Sequence, residues 1–291
     1  VIPFLEGKSL LELALDRVQG VVDSANCRIC AGLRHRSTVI SSLPGFPAGN
    51  FLGEPEGRDT LNAIGLGAAI IGKNDPDASM VVLPSDHLIS PATIFHQKLE
   101  QAFSIVEEQP AALATFGLKP TFAATGYGYL ELGEGGTSGS FMVKCFHEKP
   151  SLPIAQQYLA AGSERYLWNS GIFVWKASNL LECLGRYHPE NLAGLTRIAN
   201  AWGTPEYAGT LDSVFPRLKK ISIDYAVLEP ASRDNFRQIL AIPMDLEWRD
   251  IGSRPAFAAV CEKDSHGNAL EAERALLNDC RNTMVLSNDP G

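Results

Sequence analysis

Apolar residues along the chain follow two alternating patterns, short continuous runs and longer runs with helical spacing. Residues 80–83 form a continuous apolar run of strand length, which is typical of a strand buried on both faces. Ser9 and Glu12 carry the signature of a capping box, and apolar residues then recur at helical spacing up to residue 18. The patterns predict strands at 27–31, 80–83, 111–116, 141–146 and 171–175, and helices at 9–20, 60–72, 94–106, 154–161 and 180–187.

The repeated order of strand and then helix predicts an α/β fold with a mainly parallel sheet that helices cover on both faces. A chain of 291 residues is long enough for one such domain with a small appendage. The pattern changes near Gly252, and residues 268–288 show short apolar pieces broken by Asn, Asp and Gly. We therefore expect one domain at 1–257 and a small β segment at 258–291.

Composition narrows the function classes. The formal charge is -8 and the pI is near 5.3, which argues against nucleic-acid binding, because that binding depends on clustered Lys and Arg. The sequence has no apolar run of about 20 residues and no signal-peptide pattern at its start, so we expect a cytoplasmic protein without a membrane span. Cys27 and Cys30 lack a second pair or a nearby histidine, which favours ordinary strand residues over a zinc site.

Two aspartates follow apolar stretches that are far apart in the chain. Asp86 comes after the 80–83 run and a proline, and Asp250 follows the apolar stretch 239–244. Each alone is most simply a helix or turn cap. Together, two carboxylates at strand ends are the hard oxygen ligands that Mg²⁺ needs beside a nucleotide phosphate. The sequence leaves open whether the two side chains meet.

Three further motifs carry polar groups next to strands. Gly126 and Gly128 stand in a Thr-Gly-Tyr-Gly-Tyr segment, where backbone amides can approach a ligand or simply form an aromatic hairpin. Glu148 and Lys149 offer a carboxylate for hydroxyls and an ammonium for phosphate, or a plain surface ion pair. Asn169 can serve a turn, or use both of its amide functions on vicinal hydroxyls.

Several segments, in this order and spacing, resemble the mannose-1-phosphate guanylyltransferases of the sugar nucleotidyltransferase family. Three-residue matches are weak, but this many in fixed order are specific. The matching segments are residues 53–60, 82–87, 115–120, 125–129, 221–229 and 248–252.

The resemblance implies a Rossmann-like nucleotidyltransferase domain followed by the start of a left-handed β-helix. It also implies that mannose 1-phosphate attacks the α-phosphorus of GTP, giving GDP-mannose and pyrophosphate. GTP and mannose 1-phosphate are then the partners, and a homodimer is the assembly often found in this family.

The resemblance further implies a set of site residues. Asp86 and Asp250 would hold Mg²⁺, and Lys149 would contact the phosphate of the sugar. Glu148 and Asn169 would bind the mannose hydroxyls alongside the backbone of Gly126 and Gly128. The nucleoside would lie near Glu54, Arg58 and Thr60, and Asp224 would be a site residue whose alternative is a buried structural network.

One departure from the family concerns its first strand and Gly-rich signature, which grip the triphosphate and are missing before Phe4. Losing a central strand would leave sheet edges unpaired, so we expect further residues of the protein to precede Val1. We expect no second enzyme domain after the β segment and hence a single activity. The alternatives to a GDP-mannose-forming enzyme are an enzyme with another base or sugar, a catalytically silent regulatory subunit and a sugar-binding module.

Overall fold

The computed structural model describes residues 3–5, 7–234, 236–272 and 275–287. Its strands are β1 (Pro3–Leu5), β2 (Lys8–Ser9), β3 (Ile29–Gly32), β4 (Phe51–Glu54), β5 (Ser79–Val82), β6 (His87–Ser90), β7 (Leu113–Leu118), β8 (Tyr129–Gly135), β9 (Phe141–His147), β10 (Tyr166–Lys176), β11 (Ile239–Met244), β12 (Glu247–Asp250), β13 (Ala269–Glu271) and β14 (Met284–Leu286).

The α-helices are α1 (Leu10–Asp16), α2 (Arg36–Ser42), α3 (Asp59–Asn74), α4 (Ala92–Glu108), α5 (Leu152–Ala161), α6 (Ala177–Tyr187), α7 (Pro189–Ala201), α8 (Tyr207–Val214), α9 (Glu229–Asp234) and α10 (Arg254–Val260). The capping box at the start of α1 is confirmed, since the Ser9 hydroxyl accepts from the Glu12 amide and the Glu12 carboxylate accepts from the Ser9 amide. The helix ends at Asp16 and not at Gly20.

Within the described residues, the main sheet has six strands in the order β5-β10-β7-β11-β9-β8. Four of them, β5, β7, β11 and β8, run in one direction. The other two, β9 and β10, run in the opposite direction, so the sheet is mixed and β7 with β11 is its parallel pair. An antiparallel pairing of β8 with β10 closes five of the strands into a ring.

The apolar runs of the central strands are buried on both sides. In β11, Ile239 and Ala241 pack into one core, while Leu240 and Ile242 pack into the other. Successive strand side chains point to opposite faces, so a strand between two helical layers needs apolar residues at every position. The first core contains side chains of α3, α6 and α7, and the second contains those of α4.

Strands β3 and β4 form a separate parallel pair, and in the described part of the chain neither joins the six-stranded sheet. Residues of β3 and β5 line the same cavity of about 1550 Å³, and each of these strands pairs on one edge only among the described residues.

After α10 the chain forms a short parallel pair of β13 with β14, joined to Lys263 by an isolated bridge to Ala269. Residues 273–274 and 288–291 of the predicted small β segment lie outside the described residues. No helix among the described residues is long and apolar enough to cross a bilayer.

Two short strands position the candidate site. Asp86 follows β5 and immediately precedes β6, and Asp250 ends β12, which begins three residues after β11. Strands β6 and β12 pair in antiparallel register and place Asp250 opposite His87. Strands β5 and β11 run in the same direction, and the chain that follows each of them carries one of the two aspartates. Both aspartates therefore lie at the same edge of the sheet.

Candidate active site

The first polar cluster, called here the metal group, consists of Asp86, His87 and Asp250. One ligand atom of each lies within 4.8 Å of the others. The Ile251 amide donates to the Asp86 carbonyl at 2.9 Å, which holds the two loops together. Burial, and next the neighbouring Asp250 carboxylate, raise the pKa of Asp86 above its ordinary value. Two like charges held this close are a cost that a bound cation would remove.

Gly252 permits this close arrangement of carboxylates. Its amide donates to Asp250 Oδ1 at 2.8 Å. A Cβ atom at this position would lie 2.7 Å from Asp86 Oδ2 and 3.0 Å from Asp250 Oδ1. Any larger residue would have to push against the two carboxylates.

His87 completes the metal group from the buried side. The Trp248 indole N–H donates to His87 Nδ1 at 3.2 Å, and burial lowers the pKa of His87 to about 4. The imidazole is therefore neutral at pH 7 and carries its proton on Nε2. Nδ1 accepts a hydrogen bond and Nε2 is protonated, so His87 has no lone pair left for a metal ion. The two carboxylates remain as possible metal ligands, and two hard oxygen donors fit Mg²⁺.

The second polar cluster, called here the Asn169 cluster, consists of Thr115, Glu148, Lys149, Asn169 and Asp224. The Thr115 hydroxyl donates to Asn169 Oδ1 at 2.8 Å, and Asn169 Nδ2 donates to Asp224 Oδ1 at 3.1 Å. Burial, and next the Glu148 carboxylate, raise the pKa of Asp224 to about 7. Asp224 opens a π-helix, Asp224–Leu228, a rare element that is frequent at functional sites.

Glu148 and Lys149 occupy one end of this cluster. Their side chains form an ion pair of 3.0 Å, with the carboxylate almost buried and the ammonium half exposed. Lys149 has a φ of 45°, a left-handed conformation that costs energy for a residue with a Cβ. Gly128 lies against Glu148, since a Cβ there would be 2.8 Å from Glu148 Oε2 and from the Phe146 ring.

An aromatic contact connects the two clusters. The Tyr127 ring makes edge contacts with Trp168, at 5.3 Å between centroids, and with Trp248, at 5.2 Å. Trp168 precedes Asn169, and Trp248 donates to His87. Tyr127 of the glycine segment thus packs on two tryptophans, one beside each cluster.

The start of α3 lies near the Asn169 cluster. Thr60 Oγ1 accepts from the Ile223 amide at 2.9 Å, and Thr60, Asp86 and Asp224 all line the 1550 Å³ cavity. Arg58 pairs instead with Glu56 and donates to the Pro216 carbonyl. Burial raises the pKa of Glu54, and burial, followed by the nearby Glu54 carboxylate, raises the pKa of the Cys30 thiol.

Comparison with known proteins identifies the family of this chain. Residues 31–267 match the nucleotidyl transferase family model. The chain belongs to the nucleotidyl transferase family. It is 37% identical over 267 residues to the xanthan biosynthesis protein XanB of Xanthomonas campestris pv. campestris strain B100, which covers 88% of this chain and 53% of that protein. It is 31% identical over 287 residues to a mannose-1-phosphate guanylyltransferase of Klebsiella pneumoniae, covering 97% of this chain and 59% of that one.

A solved structure agrees with this assignment. The Thermus thermophilus protein described as a mannose-1-phosphate geranyltransferase superposes with a TM-score of 0.77 and 29% identity over 93% of this chain and 74% of the other. This nucleotidyl transferase therefore has the Rossmann-like α/β fold that the sequence predicts. It spans a little more than half the length of the curated relatives named above.

In this nucleotidyl transferase, the predicted site residues fall into the two clusters and the start of α3. Asp86 meets Asp250, while Glu148, Lys149, Asn169 and Asp224 form the second cluster with Gly128 beside them. A Cβ at Gly126 would meet nothing within 4 Å, and no described contact joins Glu54 or Arg58 to either cluster.

Sequence reasoning about this nucleotidyl transferase missed four residues that the site uses. Trp248 and Gly252 stand in the Asp250 segment and His87 follows Asp86, but the sequence carries no signal that an indole would bond the imidazole. Thr115 lies in an otherwise apolar strand, and a hydroxyl in such a run is the one signal that could have found it.

Proposed function

We propose that this chain carries the catalytic site of a mannose-1-phosphate guanylyltransferase, which makes GDP-mannose and pyrophosphate from GTP and mannose 1-phosphate. The observation that carries the proposal is the meeting of Asp86 with Asp250, two carboxylates 164 positions apart in the sequence. They follow β5 and β11, two strands that run in the same direction. Curated relatives with this name support the choice of sugar and base.

The reaction needs no nucleophile from the protein. A phosphate oxygen of mannose 1-phosphate attacks the α-phosphorus of GTP, the bond from that phosphorus to the bridging oxygen breaks, and pyrophosphate leaves with the electron pair. The attacking group is already anionic, so positioning and charge neutralisation provide the rate. The Lys149 ammonium would hold the sugar phosphate, while Glu148 and Asn169 would hold sugar hydroxyls beside the Gly126 and Gly128 backbone.

The residues present fit a divalent cation, as the carboxylate pair and the missing Cβ of Gly252 indicate. Asp86 and Asp250 would hold Mg²⁺, which when bound offsets the negative charge on the phosphates. Thr60, Glu54 and Arg58 are proposed for the nucleoside side, and Thr60 has the strongest support because it lines the same cavity as Asp86.

The experiment measures pyrophosphate release from GTP and mannose 1-phosphate with Mg²⁺ by the full-length protein, as wild type, Asp250→Asn and Glu247→Gln. Glu247 is an exposed carboxylate on the same strand and serves as the matched control. We expect Asp250→Asn to lose at least about 100-fold in turnover and Glu247→Gln to stay near wild type. If turnover occurs only with another sugar phosphate or another nucleotide, the enzyme has a different substrate from the one proposed. A folded protein with no turnover on any pair tried would favour the regulatory alternative.

We also propose that the segment at residues 258–291, whose first three residues are the last three of α10, begins a left-handed β-helix. The parallel pairing of β13 with β14 supports it, because consecutive coils of such a helix pair in parallel. Limited proteolysis of the full chain tests the boundary, since cleavage should concentrate between α10 and β13 and leave a stable fragment that ends there.

A further inference from the structure

Thr115 has a hydroxyl at a buried strand position where an apolar side chain is expected. It lies in the middle of β7, in which every residue is buried, and its side chain is fully buried. A valine would fill the same volume without a polar atom. The hydroxyl therefore needs an explanation other than packing.

The hydroxyl has two acceptors within reach. Its oxygen lies 2.8 Å from Asn169 Oδ1 and 3.0 Å from the Ile172 carbonyl oxygen. A single O–H donates fully to one acceptor at a time. The carbonyl contact would steady the irregular part of β10 between Asn169 and Phe173, and the amide contact would orient a side chain of the site.

Asn169 is held at both ends of its amide. Oδ1 accepts from Thr115, and Nδ2 donates to Asp224 Oδ1. At a pH above the pKa of Asp224, which is about 7, a flipped amide would turn Oδ1 toward the ionised carboxylate, so that two acceptors face each other, and the Thr115 hydroxyl would lose this acceptor. Together the two neighbours select one orientation, and one Nδ2 hydrogen and one Oδ1 lone pair remain for a ligand.

We propose that Thr115 is a positioning residue, which fixes the amide of Asn169 so that its remaining donor and acceptor match two neighbouring hydroxyls of a sugar phosphate. The inference rests on the proposed function for the identity of the ligand. The orientation of the amide does not depend on it. Thr115 itself touches no substrate in this scheme, and its effect passes through Asn169.

The test compares Thr115→Val, which removes the hydroxyl and keeps the shape, with Thr115→Ser, which keeps the hydroxyl. Ser232→Ala is the matched control, because Ser232 is a buried hydroxyl that bonds the Phe146 amide and the Glu229 carbonyl and does not contact Asn169. We expect Thr115→Val to raise the KM for mannose 1-phosphate roughly tenfold and to leave the KM for GTP within about twofold. Thr115→Ser should restore the wild-type KM.

A second measurement reads the amide directly. In side-chain amide NMR spectra, assigned by the signal lost in Asn169→Ala, we expect the Asn169 pair to shift in Thr115→Val and to keep its wild-type position in Thr115→Ser and Ser232→Ala. An unmoved Asn169 signal in Thr115→Val overturns the inference. Equal increases in both KM values, or a Thr115→Ser variant as impaired as Thr115→Val, also overturn it. Wild type without turnover refutes the proposed function, and the amide signal still decides the role of Thr115.

Discussion

The indole N–H of Trp248 donates to Nδ1 of His87 at 3.2 Å, across the antiparallel pair that brings Asp250 opposite His87. The two rings also meet edge to face, with centroids 5.0 Å apart. The contact therefore sets both the tautomer of the imidazole and the separation of the strands that carry the carboxylates.

Trp248→Phe tests this contact, because phenylalanine keeps an aromatic ring and loses the donor. We expect the Mg²⁺ concentration for half-maximal activity to rise about threefold and the free energy of unfolding to fall by about 1 kcal/mol. Trp202→Phe is the control, since Trp202 packs on Tyr207 away from the metal group. A Mg²⁺ requirement identical in the two variants would remove Trp248 from the support of the site.

Asp86→Asn tests whether the carboxylate pair destabilises the fold when no cation is bound. Burial and the Asp250 carboxylate raise the pKa of Asp86, so the ionised pair is a cost to the fold without a cation. We expect the variant, measured at pH 8 with a chelator, to have a higher free energy of unfolding than the wild type and to lose its stabilisation by Mg²⁺. Chemical unfolding with and without Mg²⁺ checks both effects. A variant less stable than the wild type in chelator would show that the pair is not under repulsion.

Much of the fold was accessible from the sequence because its strands and helices have strong periodic patterns. The apolar run at 80–83 became β5 and the helix predicted at 154–161 became α5. The predicted burial of the run on both faces was wrong, since β5 is an edge strand of the described sheet beside the cavity and Met80 is its one buried residue. The reversal of β10 was not accessible, since a fully buried strand shows the same apolar run in either direction. Within the site, Asp86 and Asp250 could be chosen as residue types at strand ends. Their close approach depends on the β6–β12 pairing, which has no local sequence signal.

Asp224 predicts a defined pH dependence of stability. Its pKa is raised from 3.8 to about 7 in the folded chain by burial and by Glu148, while Lys149 acts in the opposite direction. The folded state therefore holds a proton that the unfolded state releases between these values, and stability falls as pH rises from about 4 to about 7. The loss attributable to this group is at most about 4 kcal/mol.

Urea unfolding of the wild type and Asp224→Asn at pH 5 and pH 8 measures the contribution of Asp224 to the pH dependence of stability. Asp86, a carboxyl with a raised pKa outside the Asn169 cluster, contributes equally in both proteins and cancels in the comparison. We expect the asparagine variant to lose less stability than the wild type between the two pH values, and the exposed Asp245→Asn to behave as wild type. Equal pH slopes in wild type and Asp224→Asn would contradict a carboxyl that is protonated in the folded state.

Lys149 combines a strained backbone with a proposed phosphate contact. At a φ of 45°, glycine is favoured over any residue with a Cβ, so Lys149→Gly should be about 1 kcal/mol more stable than Lys149→Ala. Both variants lose the ammonium, and we expect both to raise the KM for mannose 1-phosphate at least about tenfold. Thermal unfolding and initial rates on the two variants check this. Equal stabilities would refute the strain, and an unchanged KM would refute the phosphate contact.

Gly252→Ala tests the geometry of the carboxylate pair without altering any charge. The added Cβ would stand 2.7 Å from Asp86 Oδ2 and 3.0 Å from Asp250 Oδ1, so one carboxylate must move. The pair is then too far apart or misdirected for one small cation, whose ligands need near-ideal octahedral placement. We expect the Mg²⁺ concentration for half-maximal activity to rise roughly tenfold, with little change in the KM for mannose 1-phosphate. Gly209→Ala is the matched control, because a Cβ in that helix meets nothing within 4 Å and should leave the Mg²⁺ requirement unchanged. If Gly252→Ala binds Mg²⁺ as the wild type does, displacing a carboxylate has no effect on the cation. The metal would then have to be held by groups other than this pair.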